Sequence, residues 1–201
     1  MANEDKKRAR LFPVQSDPKR AQVIEATIES INKDGIENLT FDSIARAMGK
    51  RPSHVKYHFP SKEKAVDAAL RYSIAKMQDY IIRAIEKETN PKQALDTYLT
   101  SSLGYLEKNP KAWPIITLFL YYCSRDKEIR EINKQFRETA AKRISAMLEE
   151  MGMSQTQWLA QQIFMLVHIH AMEFIYDQSP GSLSRSKARL TKRVHRLLEI
   201  K

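Results

Sequence analysis

Residues 39–64 read LTFDSIARAMGKRPSHVKYHFPSKEK. Their caps, apolar positions and breakers lay out two short helices across a glycine turn, with a third helix starting directly behind them. Thr40 carries a hydroxyl that can accept a backbone N–H at a helix start, and Asp42 adds negative charge to the first turn, where the helix dipole favours it. The pattern predicts a helix over 41–48 with Ile44, Ala45 and Met48 on one face, Ala45 being small enough for a second helix to cross closely. Gly49 falls where a turn needs a positive φ. Pro52 fits the first position of the next helix. Val55 and Phe59 would bury one side of it, leaving Ser53, His54, Lys56 and Tyr57 facing outward. Two readings suit this spacing: a helix-turn-helix with a polar face for a DNA major groove, and a helical hairpin within an all-α core.

The order Thr40, Ile44-Ala45, Gly49, then Tyr57-His58-Phe59-Pro60-Ser61-Lys62-Glu63 resembles the N-terminal domain of TetR-family transcriptional regulators. The detailed likeness runs over roughly residues 20–70, and the rest of the chain shares only the helical layout. The resemblance implies an all-α protein with an N-terminal three-helix helix-turn-helix domain and a larger helical regulatory and dimerisation domain. It implies DNA contacts from Thr40, Lys50, Arg51, Ser53, His54, Lys56, Tyr57, His58 and Lys62. It further implies a homodimer built on the last two long helices, and a repressor released by a small apolar or amphipathic effector. The sequence departs from the family where an apolar residue usually follows the turn glycine and Ser or Thr comes next, since Lys50 and Arg51 stand there. Arg51 has no acceptor with which to cap the following helix. Lys56 stands where Tyr is common, exchanging an aromatic hydroxyl for a flexible cation that still reaches phosphate.

With 201 residues and 42% hydrophobic content the chain can bury a sizeable core. The net charge of +10 and pI near 9.6 favour a polyanionic partner without separating DNA from RNA or an anionic membrane. The placement of charge is more telling: Lys50, Arg51, Lys56, Lys62 and Lys64 cluster around the second short helix, and Arg185, Lys187, Arg189, Lys192, Arg193 and Arg196 crowd the C-terminus. One cysteine, Cys123, leaves no internal disulfide and no cysteine-cluster metal site. The opening residues lack the apolar core of a secretory signal, and no apolar run approaches the roughly 18 residues of a membrane span. The expectation is a cytoplasmic protein with no membrane partner.

Three parts are expected: a mobile basic arm over 1–16, the helix-turn-helix domain over 17–64, and the ligand-sensing and dimerisation domain over 65–201. In the arm, Lys6, Lys7, Arg8 and Arg10 read either as a solvated tail or as groups reaching a phosphate. Asp17-Pro18 opens a helix through about residue 33 with an Ile24, Ile28, Ile31 stripe, and Gly35 ends it. Ser61 caps a long helix over 62–87, along which Val66, Leu70, Ile74, Met77, Ile81 and Ile85 recur every three or four residues. Further helices are expected over 91–109, 126–151 and 154–177, the last capped by Ser154, and a final one follows the turn at 179–182. IITLFLYYC, residues 115–123, is apolar nearly all round and reads as a buried helix. No strand pattern, internal repeat or low-complexity segment occurs.

An inducer pocket among the central helices would draw on Trp113, Phe119, Tyr122, Cys123, Trp158, Met165, His168 and Met172, with Tyr121, Phe164 and Phe174 nearby. Each reads equally as core, because aromatic and methionine side chains at helical spacing pack ordinary interiors. His168 and His170 point about 200° apart and cannot share a metal on one face, whereas His170 and Glu173 meet at i, i+3. Two ligands do not complete a metal or catalytic site, and a partly buried, hydrogen-bonded His170 is the expectation. No nucleophile motif, phosphate-binding glycine loop or metal-binding repeat appears, so no enzyme, metal or cofactor is expected. A basic module for RNA or anionic membrane would explain the charge but leave the order of Gly49, Tyr57, His58 and Lys62 unexplained.

Overall fold

The computed structural model describes residues 7, 11–12, 16–177 and 179–199. Among them there are nine helices and no strand: α1 (Pro18–Asp34), α2 (Phe41–Ala47), α3 (Pro52–His58), α4 (Lys62–Ile85), α5 (Pro91–Lys108), α6 (Ala112–Arg125), α7 (Lys127–Glu150), α8 (Thr156–Tyr176) and α9 (Ser182–Glu199). The chain divides into two compact units, one of Phe12–Lys76 with Asn109–Ile129, the other of Met1–Leu11, Met77–Lys108 and Arg130–Lys201. α4 and α7 each contribute residues to both.

In the first unit Asp17 accepts the backbone N–H groups of Lys19 and Arg20, and Pro18 follows at the first helical position, so α1 starts where the sequence places it. α1 packs on α2, α3 and α6. Val23, Ile24, Ile31, Leu39, Ile44, Val55, Phe59, Val66 and Leu70 are all buried there. Each is worth about 1.5–3 kcal/mol relative to exposure, which is ample to fix two helices of seven residues that are too short to persist alone. Ser61 accepts the N–H of Lys64 at the start of α4. Along α4 the predicted stripe is buried at Val66, Leu70, Ile74, Ile81 and Ile85, with Met77 half-buried.

In the second unit α5 packs on α8 and α9, and those two pack on each other. Leu95, Leu99, Leu103, Ile144, Met147, Leu148, Ile163, Leu190 and Val194 form its core. Asn90 caps α5 through Lys92 and Gln93. α7 closes at Gly152, φ 72°, where the Met153 N–H reaches Leu148 O and the Gly152 N–H reaches Glu149 O.

Several expectations need correcting. The N-cap of α8 is Gln155, not Ser154; it has a left-handed backbone at φ 53° and no side-chain hydrogen bond, so α8 begins unsupported by a hydroxyl. α6 is not buried all round. It packs on α1 and buries Ala112, Ile115 and Phe119, while Thr117 and Tyr121 stay exposed, Tyr121 at 51%. His170 is fully rather than partly buried. The arm is not free at the residues described: the Lys7 ammonium pairs with Glu150 at 2.7 Å, its carbonyl accepts from Arg143 Nε, and the Leu11 N–H donates to Gln78 Oε1. Lys6, Arg8 and Arg10 lie outside the described residues.

Candidate nucleic-acid interface

The turn between α2 and α3 is built by hydrogen bonds that only a left-handed residue permits. Gly49 takes φ 62°, its N–H reaches Arg46 O, and the Lys50 N–H reaches back to Ala45 O. α2 is fixed at its other end by a capping box in which Thr40 Oγ1 accepts the Ser43 N–H and Ser43 Oγ accepts the Thr40 N–H, both at 3.0 Å. Thr40 thus spends its acceptor on the helix and stays exposed. Ser43 is the half of this box that sequence reasoning missed, and its position three residues after Thr40 was the available signal.

α3 is pinned by Val55 and Phe59, at 0% and 1% exposure. Ser53, Lys56 and Tyr57 are exposed on the remaining surface, Tyr57 at 84%, and His54 and His58 are half-exposed. The His58 ring stands edge-on to both His54 and Tyr57, with centroids 5.1 Å away in each case. Three rings therefore brace one another along a single short helix. Lys50 and Arg51 are exposed before it, and Arg51 makes no side-chain cap, as its lack of an acceptor requires. The Lys62 ammonium lies 3.4 Å from Ile36 O, a long contact that holds it beside the α1–α2 loop. Glu63 sits at the start of α4, where the backbone N–H and then the Ser61 hydroxyl hold its carboxyl below the usual range.

Arg20 is the residue of this unit that the sequence did not reveal. Its guanidinium donates to His58 O at 3.1 Å and lies 4.4 Å from the centre of the Phe59 ring, so a cation from α1 meets the carbonyl end of α3. The contact joins residues 38 positions apart, and no local pattern announces it.

The expected pocket residues fall in both units. Trp113, Phe119, Tyr122 and Cys123 belong to α6, with Phe119 buried and Trp113, Tyr122 and Cys123 half-buried. Burial and the neighbouring Tyr121 raise the Tyr122 phenol above its ordinary value. Trp158, Met165, His168 and Met172 belong to α8, where Trp158 and Met165 are 51% and 40% exposed. His168 stacks on Phe164, and burial, then the Arg137 charge, lowers its pKa. Among the described residues no group of three or more His, Cys, Asp and Glu converges as metal ligands would. No helix among them is long and apolar enough to cross a membrane. His170 does meet Glu173, Nδ1 to Oε2 at 2.9 Å, at ion-pair distance without hydrogen-bond alignment. Arg193 lies 3.2 Å from Nε2; an arginine can only donate, so Nε2 accepts and the imidazole proton sits on Nδ1, toward Glu173.

Comparison with known proteins matches this geometry. Residues 23–69 fit the family model described as bacterial regulatory proteins, tetR family. The HTH-type transcriptional regulator BetI of Rhizobium meliloti (strain 1021) is 23% identical over 114 residues, 57% of this chain and 56% of the relative. The chain thus spans about half the length of the curated relatives it matches. A transcriptional regulator from Rhodococcus sp. Rha1 shares the fold with a TM-score of 0.78 at 18% identity, covering 90% of this chain and 96% of that one. A TetR transcription regulator from Haloarcula marismortui ATCC 43049 does so at 0.73 and 17%, covering 89% and 97%. Residues 23–69 thus carry the N-terminal helix-turn-helix of the tetR family of bacterial regulatory proteins, and the chain as a whole shares the all-helical fold of these solved regulators.

Proposed function

We propose that this protein is a sequence-specific DNA-binding regulator, acting as a homodimeric repressor that a small apolar or amphipathic ligand releases. Residues 17–64 would read the operator, and 65–201 would sense the ligand and form the dimer. The observation that carries the reading is the outward face of α3, where Ser53, His54, Lys56 and Tyr57 are presented by a helix held from behind at Val55 and Phe59. Such a helix offers hydrogen-bonding groups to base edges and cations to phosphates. The RNA or membrane alternative needs only charge and makes no use of three braced rings.

The dimer has separate support. Trp158, Met165, Ile169 and Tyr176 are exposed at 51%, 40%, 46% and 83%, and they fall within one narrow arc of α8. A second copy of the stripe would cover it, and a pair of α3 helices would read a longer site than one. For the ligand we propose α4, which contributes to both units, as the element whose displacement lowers operator affinity. The test separates contacts by kind. His54→Ala should change preference among duplex variants, whereas Lys56→Ala should weaken all duplexes alike. A uniform loss from both would reassign His54 to backbone positioning.

A further inference from the structure

A cavity of about 450 Å³ opens within the first unit, beside the end of α3, a volume in the range of small-molecule sites. Phe12 and Phe59 give it apolar walls, each ring carrying a guanidinium, Arg71 over Phe12 at 5.2 Å and Arg20 over Phe59 at 4.4 Å. Ala68 lines it without filling it. The charges of the lining do not cancel. Arg71 is matched by Asp67 at 2.9 Å and Glu128 at 2.7 Å. Arg20 spends one N–H on His58 O, and neither its other N–H groups nor the Lys64 ammonium has a partner among the described residues. Two unmatched cations between aromatic walls suit a flat organic anion, with its rings against the phenylalanines and its carboxylate on Arg20 and Lys64.

We propose that this cavity is a binding site for planar aromatic carboxylates, located in the DNA-reading unit itself. A carboxylate on the free N–H groups of Arg20 draws the guanidinium into the cavity and away from His58 O, so occupancy loosens the hold of α1 on the end of α3 and lowers operator affinity. This second step rests on the DNA-reading proposal; the binding itself does not.

The test titrates 2-naphthoate, and 2-naphthalenemethanol as its neutral isostere, into the full chain by calorimetry without DNA. The acid should bind about tenfold tighter than the alcohol. Lys64→Gln, at an exposed position, should remove most of that difference and leave the alcohol unchanged, and Ala68→Leu should abolish both by filling the space. Equal affinities for acid and alcohol, binding that survives Ala68→Leu in a folded variant, or no heat from the acid up to about 5 mM would each overturn the site. A selected duplex is then added. Saturating naphthoate should weaken its binding to wild type, and unchanged duplex affinity would overturn the coupling while leaving the site in place. A wild type that binds naphthoate but no duplex would count against DNA reading alone.

Discussion

Ile169 sits in the middle of the exposed stripe on α8 and is 46% exposed in the single chain. Full burial of an isoleucine is worth about 1.5–3 kcal/mol, so covering the exposed part contributes roughly 1 kcal/mol per protomer. A two-fold interface counts each residue twice, and Ile169→Ala removes most of that apolar area from both copies. The dimer should lose about 2 kcal/mol, a dissociation constant raised some 30-fold. Ile169→Glu should go further, because it sets two carboxylates in a region that pairing would strip of water. Sedimentation equilibrium across a micromolar dilution series reads both effects, with Gln157→Ala on an exposed position outside the stripe as the control. Wild type sedimenting as a monomer throughout, or Ile169→Ala dissociating no more readily than the control, would refute the stripe as the interface.

Three further outcomes follow from particular contacts. Gly49→Ala places a Cβ where no atom lies within 4 Å, so its cost is purely that of a left-handed backbone; thermal denaturation should show a loss of about 1–2 kcal/mol, and an unchanged midpoint would mean that the turn tolerates other geometries. Lys56→Ala should flatten the salt dependence of duplex binding by about one unit of slope, and an unaltered slope would place Lys56 away from phosphate. Burial pushes the His170 imidazole below its ordinary value, with Glu173 opposing and Arg193 and Arg189 reinforcing. The folded chain then holds that proton less tightly than the unfolded chain. Stability present at neutral pH should fall as pH drops through about 6.5 and level off below the folded pKa. His170→Gln should shallow that slope to the share His168, shifted the same way, still contributes; an identical slope would assign the acid sensitivity elsewhere.

What the sequence made legible was local. Asp17-Pro18, Thr40, Gly49, Pro52, Ser61 and Asn90-Pro91 each mark a helix end through chemistry confined to a few neighbouring residues, and each stands at the end it predicts. The stripe along α4 was equally readable, because its residues face one way whatever they pack against. Contacts between distant segments were not. Arg20 on His58 O, Lys7 with Glu150 and Leu11 on Gln78 depend on how elements meet, and a basic, proline-containing stretch looks like a solvated arm until its partners are known. α6 misled for a related reason: nine nearly continuous apolar residues predict burial on all sides, yet Thr117 and Tyr121 within that run stay exposed. At the head of α8, Ser154 looks like the better cap by chemistry, but the chain enters the helix through a left-handed Gln155.

Selection of duplexes from a random-sequence pool by the full chain separates paired reading by α3 from binding driven by charge alone. If α3 reads DNA as one half of a pair, the enriched sites should be two-fold symmetric, with half-sites centred about 34–36 Å apart or a multiple of one helical turn. Tyr57→Ala and His54→Ala should shift the enriched bases within each half-site. A pool that emerges without sequence preference, or retention of single-stranded RNA as tight as that of any duplex, would contradict the account.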